Sequence, residues 1–199
     1  NMAGKNRAPA AVLRAFLAGR GDVSKAKDSN GWTSLHLVCY LHFEGSEECL
    51  DLILGNGGDV AAQTIEGLTP LHLACCDGQC GAVSKLLARG ARVDARSADR
   101  QTPLMFAAKL GHDQAVALLL ERGAEVDAQC AAGKSALHFA AIAGHLHAVK
   151  VLLKNGARRD VRDVENKTAV DRAAENGKTQ VLDYLQRFVL AANQPPGSA

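Results

Sequence analysis

Thr69-Pro70-Leu71-His72 is the stretch that decides the fold, because it comes back along the chain. Copies stand at Thr33-Ser34-Leu35-His36, Thr102-Pro103-Leu104-Met105 and Ser135-Ala136-Leu137-His138, with a degenerate one at Thr168-Ala169-Val170-Asp171. The steps between the lead hydroxyl residues are 36, 33, 33 and 33. A fixed period of this length marks a solenoid, in which each unit buries its apolar face only against its neighbours. A solenoid offers a long surface with no obligatory pocket, which points to binding before catalysis.

Residues 97–129 serve as the specimen unit. Thr102-Pro103 predicts the start of a short helix: the hydroxyl caps a free N–H, and proline is preset for the first helical position. Ala107-Ala108 keep that helix thin for close stacking, and Gly111 ends it with a left-handed cap. A second helix follows, with Val116, Leu119 and Leu120 at i, i+3 and i+4 on one apolar stripe, closed by Gly123. Val83/Leu86/Leu87 and Val149/Leu152/Leu153 repeat the stripe elsewhere. The turn before each lead hydroxyl holds Gly31, Gly67 and Gly133, replaced by Arg100 and Asn166. Asparagine tolerates a left-handed turn, whereas Arg100 there is expected to cost about 1 kcal/mol.

These phrases resemble the ankyrin-repeat family. The matching features are the G-x-T-P-L-H-x-A turn, the Gly-His opening of the second helix (Gly111-His112, Gly144-His145) and the G-A-x-V-D-A close (Gly90 to Ala95, Gly123 to Ala128). The resemblance implies an all-α solenoid of helix–turn–helix units joined by short hairpin-like loops, covering roughly residues 28–190. The register divides the chain into an N-terminal half-repeat or cap (1–27), repeats at 28–63, 64–96, 97–129 and 130–162, a fifth repeat or C-terminal cap (163–190), and a flexible tail (191–199). The first repeat carries a three-residue insertion around Leu41-His42-Phe43, since His36 to Gly45 is nine residues where His72 to Gly78 is six. In the fifth unit Arg172 takes an apolar slot and reads as polar facing for an outer end.

The 199 residues carry a net charge of +2, which hides segregation. Residues 28–80 hold eight acids (Asp28, Glu44, Glu47, Glu48, Asp51, Asp59, Glu66, Asp77) and no Lys or Arg. No apolar run reaches the ~18 residues of a membrane span. Six cysteines without secretory context read as free thiols in a reducing compartment, cytoplasm or nucleus.

Chemistry-bearing residues fall into framework slots. His36, His72 and His138 are expected to hydrogen-bond the capping hydroxyls and turn backbone. The best metal candidate, His72 with Cys75, Cys76 and Cys80, has soft ligands at helical spacing, but His72 and Cys75 occupy slots that point into the stack. No metal, no cofactor and no small-molecule substrate are expected. No nucleophile–base–orienter set or phosphate-cradling glycine motif emerges, so the chain reads as a non-enzyme. Arg92, Arg96, Arg158, Arg159 and Arg162 cluster in the connecting loops, yet a nucleic-acid footprint needs a continuous basic face, which the acidic 28–80 stretch interrupts.

The resemblance implies that partners meet the hairpin tips and the first helices on the concave side. Carried over, those slots hold Trp32, Tyr40 and Leu41 in the first repeat, and Ile65, Glu66, Leu68, Cys76 and Asp77 in the second. In the third they hold Asp99, Gln101, Lys109 and Leu110, and in the fourth Lys134 and Ile142. Trp32 is the sole Trp, at a slot that the fold does not need to fill, and large aromatics are enriched among binding hot spots. The alternative packs Trp32 over the N-terminal half-repeat. The expected function is a monomeric adaptor or scaffold that binds a protein or peptide segment with apolar anchors flanked by basic residues. A second reading is a regulatory or targeting domain of a larger enzyme or channel, and a third a nucleic-acid-associated cofactor.

Overall fold

The computed structural model describes residues 27–41 and 45–192. The half-repeat read over 1–27, His42 and Phe43 of the insertion and the tail from 193 onward lie outside them, Lys27 excepted. Among the described residues there are ten helices and no strand. They form five pairs: α1 Ser34–Tyr40 with α2 Ser46–Gly55, α3 Pro70–Cys76 with α4 Cys80–Ala88, and α5 Pro103–Leu110 with α6 Asp113–Glu121. The last two are α7 Ala136–Ala143 with α8 Leu146–Lys154, and α9 Ala169–Glu175 with α10 Thr179–Ala192. The protein is thus an all-α repeat solenoid. Helix α10 runs to Ala192 rather than stopping at Leu190, as two strong helix formers at its end favour.

The recurring Thr/Ser-x-x-His phrase explains both how each inner helix starts and how it ties to the next unit. Thr33, Thr69, Thr102, Ser135 and Thr168 each sit in extended backbone as the N-cap. Three residues on, His36, His72 and His138 are buried. Each Nδ1 accepts from the cap residue's own N–H, at 3.1 to 3.2 Å, and pairs with its hydroxyl at 2.8 to 2.9 Å. Each Nε2–H donates across to the next repeat, to the carbonyls of Leu68, Gln101 and Lys167 at 3.0 to 3.1 Å. A carbonyl only accepts, so this bond fixes the tautomer. Met105 in the third repeat takes only the near bond, Thr102 N–H to Sδ at 3.4 Å.

The loops between pairs share one closure. Backbone N–H groups of Asp28, Thr64, Ser97, Cys130 and Asp163 donate to the carbonyls of Trp32, Leu68, Gln101, Lys134 and Lys167, all at 2.9 to 3.1 Å. Successive loop tips are joined by single bonds: Ile65 N–H to Asn30, Ala98 to Glu66, Ala131 to Asp99 and Val164 to Ala132. One bond per pair of loops does not make a sheet. The turn needs a left-handed residue, and at Gly67 (φ +72°) an added Cβ would lie 2.7 Å from the Ala98 nitrogen. Arg100 and Asn166 accept the same conformation with side chains attached, at φ 59° and 61°.

Inner helices α1, α3, α5, α7 and α9 pack on one another more closely than the outer helices do. Fully buried Ala74, Ala107, Ala108, Ala140, Ala141 and Ala173 permit that approach, and closer inner spacing makes the inner-helix side concave. Outer-helix Val83/Leu86, Val116/Leu119 and Val149/Leu152 are buried, as their spacing predicts, and Val181 and Leu185 of α10 continue the row.

Arg172 corrects the sequence reading. It does not dress the outer end in polar surface: the residue is buried, with 8 % exposure. Its guanidinium bonds the fully buried Asp163 carboxylate (Nε to Oδ2 2.7 Å) and pairs with Glu165 at 2.9 Å and Glu175 at 3.1 Å. Burial alone would raise the Asp163 pKa, but the Arg172 hydrogen bond and the Lys167 and Glu165 N–H groups hold it below the ordinary carboxylate range. A buried charge persists only when paired and hydrogen-bonded, and this knot meets that condition.

Candidate partner-binding face

The concave side is built from two rows. Loop tips supply the first, and the second is the stripe of each inner helix that the core leaves uncovered, at i, i+3 and i+4. In α1 and the residue after it that stripe is Leu37, Tyr40 and Leu41, in α5 it is Phe106, Lys109 and Leu110, and in α7 it is Phe139, Ile142 and Ala143.

At the first repeat Trp32 is half-buried and packs against the core. Its backbone N–H donates to Asp28 Oδ1 at 2.8 Å, which fixes the loop beneath it. Its ring meets Tyr40 edge-on, with centroids 5.4 Å apart at 80°, and tilts over His36 at 6.0 Å. Tyr40 is 55 % exposed, and Leu41 is half-buried. The second repeat adds Ile65, which at 73 % exposure is the most exposed large apolar side chain described, beside exposed Glu66 and half-buried Leu68. Cys76 is half-buried, and its carbonyl accepts His112 Nε2–H at 2.9 Å. Asp77 is exposed and accepts from Gln79 at 2.8 Å.

Farther along, Asp99, Lys109 and Leu110 are exposed, while Gln101, Lys134 and Ile142 are half-buried. Gln101 and Asp99 lend backbone carbonyls to the stack, through His72 and the Ala131 N–H, and keep their side chains outside it. Phe106 is half-buried and lies edge-on to His72, with ring centres 5.5 Å apart.

Two exposed apolar residues on this side escaped the sequence reading. Val164, 71 % exposed, stands at Ile65's tip position in the fifth loop, and carrying the register one unit farther would have found it. Leu37, 40 % exposed, shares a slot with Leu73, which is only 4 % exposed. No sequence signal separates them.

Apart from Cys76, the thiols are set back from this surface. Cys39, Cys49, Cys75 and Cys130 are buried, and Cys76 and Cys80 half-buried. Burial pushes the Cys39 thiol up to about 12 and Cys76 to about 11, and raises Cys75 well above the usual range. With both His72 nitrogens engaged and Cys75 sealed in the core, the His72–Cys75–Cys76–Cys80 set does not open onto a common centre. No three such side chains converge as metal ligands among the described residues. No described helix is long and apolar enough to cross a membrane.

Comparison with known proteins agrees with this geometry. A family model described as ankyrin repeats (3 copies) matches residues 40–130 and 124–189. Ankyrin repeat domain-containing protein 53 of Mus musculus is 41 % identical over 56 residues, a match spanning 27 % of this chain and 11 % of that protein. The period, the capping histidines, the stacked helix pairs and a family match over most of its length together place the chain in the ankyrin-repeat family.

Proposed function

We propose that this chain is an adaptor or scaffold that grips a segment of a partner protein on its concave tips and inner helices, chiefly at the first two repeats. Ankyrin repeats are in general protein–protein interaction modules and typically non-catalytic. The observation that carries the finer reading is the Trp32–Tyr40 pair beside Ile65, an aromatic and apolar surface set within a stretch that has acids and no Lys or Arg. Such a surface suits a partner with apolar anchors and basic flanks, because charge steers encounter while buried aromatics set residence time.

Support for protein over nucleic acid comes from the loop arginines. Arg96 bonds the Gln129 carbonyl and faces Glu125, Arg158 pairs with Asp160, and Arg162 bonds the Asn166 carbonyl. Arg96 thus ties its loop to the next repeat, and Arg158 and Arg162 serve their own loops, rather than standing on an open basic face. The reading places the chain in the cytoplasm or nucleus, as a monomer with its thiols reduced.

The test is retention of partner proteins on the immobilised chain, comparing wild type with Trp32→Ala and with Lys154→Ala on the outer helix α8. Loss with Trp32→Ala alone supports the concave face. Equal retention by both variants, or loss only with Lys154→Ala, moves the site elsewhere.

A further inference from the structure

We propose that the corner between Trp32 and Tyr40 seats an arginine side chain of the partner, its guanidinium stacked on the rings and its remaining N–H groups turned to Glu66. This rests on the concave face being the docking surface, and it replaces an apolar anchor with a cationic one at that corner.

Two rings at 80° with centroids 5.4 Å apart form a corner bounded by π-faces. Those faces carry negative potential and attract a cation within about 6 Å of a ring centroid, Trp most strongly. Tyr40 is largely exposed, so the corner is open to a ligand. Trp32 is held below by Asp28 and flanked by His36. Burial lowers the His36 pKa, so that ring is neutral at pH 7 and does not repel an incoming cation.

Apart from Lys27, whose charge acts on His36, the charges nearby point the same way. Ile65 N–H to Asn30 (2.9 Å) and the His36 bond to the Leu68 carbonyl (3.0 Å) clamp the second loop against the first. That clamp sets exposed Glu66 one loop from Trp32. On the outer helices Lys85 answers Asp51 at 2.8 Å and Glu47 at 3.8 Å. Glu66 has no such answer among the described residues, and 28–80 contain no Lys or Arg to supply one. Elsewhere the chain fills an aromatic face itself, with Lys150 5.3 Å from the Tyr184 ring centre. Among the described residues no Lys or Arg of its own does so at Trp32.

Arginine fits better than lysine. Its planar group is weakly hydrated, lies flat on an aromatic ring, and keeps fixed donors for a carboxylate. Ile65 and Leu68 then take the partner's neighbouring apolar residues.

Trp32 is the only Trp, so its indole N–H gives a single nuclear magnetic resonance line that reports on the corner. The full chain is titrated with acetyl-Gly-Arg-Leu-Gly-amide and with its citrulline counterpart, which has the same shape and no charge. The arginine peptide is expected to shift the Trp32 line saturably, and the citrulline peptide to bind at least fivefold more weakly. Tyr40→Phe should keep that preference, while Tyr40→Leu and Glu66→Gln should each cut it at least twofold. Equal binding of the two peptides overturns the arginine seat but leaves the docking face standing. A Trp32 line that neither peptide moves also overturns the seat. The docking face fails by a separate result, partner retention that ignores Trp32→Ala.

Discussion

His72→Met tests the reasoning about the buried histidines most directly, because the chain itself uses Met105 at the equivalent slot. At neutral pH the variant loses the bonds to the Thr69 hydroxyl and to the Gln101 carbonyl, at 2.9 and 3.1 Å. Two buried polar partners left short cost about 2 kcal/mol. Acid reverses the comparison. Burial holds the His72 pKa at about 4 instead of the ordinary 6.5, against the partial opposition of the Gln101 carbonyl. The unfolded chain therefore takes up this proton first, and the stability His72 confers is complete above pH 6.5 and lost as pH falls toward 4. At about 1.4 kcal/mol per pH unit the whole difference is worth about 3 kcal/mol. Protonation also sets an N–H against the Thr69 N–H, which already points at Nδ1 from 3.1 Å. Urea unfolding followed by circular dichroism from pH 7 to pH 4 should show wild type ahead by about 2 kcal/mol at pH 7, the gap closing near pH 5, and the variant ahead at pH 4. A gap that stays constant over this range would refute the assignment of a neutral, doubly bonded imidazole.

Other outcomes follow from particular contacts. Gly67→Ala should destabilise by about 2 kcal/mol or more, since it adds strain at positive φ and drives a Cβ against the Ala98 backbone. Arg100→Gly should stay within about 1 kcal/mol of wild type. Thermal melts of the pair check both, and a tolerated Gly67→Ala contradicts the close approach of the loops. Asp163→Asn keeps the turn bonds to the Glu165 and Lys167 N–H groups but removes the charge facing Arg172. It should cost about 3 kcal/mol, with amide exchange rising first in α9 and α10; uniform exchange across all helices argues against a local knot. Trp32→Ala should raise the partner dissociation rate about 30-fold, or about 2 kcal/mol. Asp77→Asn, at a residue outside the arginine seat, should mainly slow association and flatten its salt dependence by surface plasmon resonance. An effect on dissociation alone from the charge change would undo that division.

Most of the architecture was legible because the period makes each position testable against four others. Thr69, His72, Ala74 and Gly78 carry helix start, core and stop in one line of sequence, and the structure puts each where the phrase implied. The capping half of the histidine's role was readable from its position three residues after the hydroxyl. A bond to turn backbone was expected too, but not that the turn would be the next repeat's, since the Nε2 bond depends on how far one repeat is shifted on the next. Arg172 failed for a related reason. Its polarity is visible in sequence, but its partners come from a loop nine residues back and from its own helix, and only their meeting makes burial possible. On the concave side the tip positions were legible as slots, while exposure was not: Leu37 and Leu73 occupy one slot with opposite fates.

The histidine bond lands on a backbone carbonyl, never on a side chain, and the residues that own those carbonyls are Leu68, Gln101 and Lys167. They share a slot with Trp32 and Lys134, so side chains of four kinds stand above main-chain carbonyls that close every loop and, at those three, also take the histidine's bond. Duplication of a unit therefore brings its joint along intact, whatever amino acid the tip happens to bear. Structural inheritance and recognition are written in separate atoms of the same residue. New specificities can be tried at Trp32, Leu68, Gln101, Lys134 or Lys167 one letter at a time, without renegotiating how the repeats hold together.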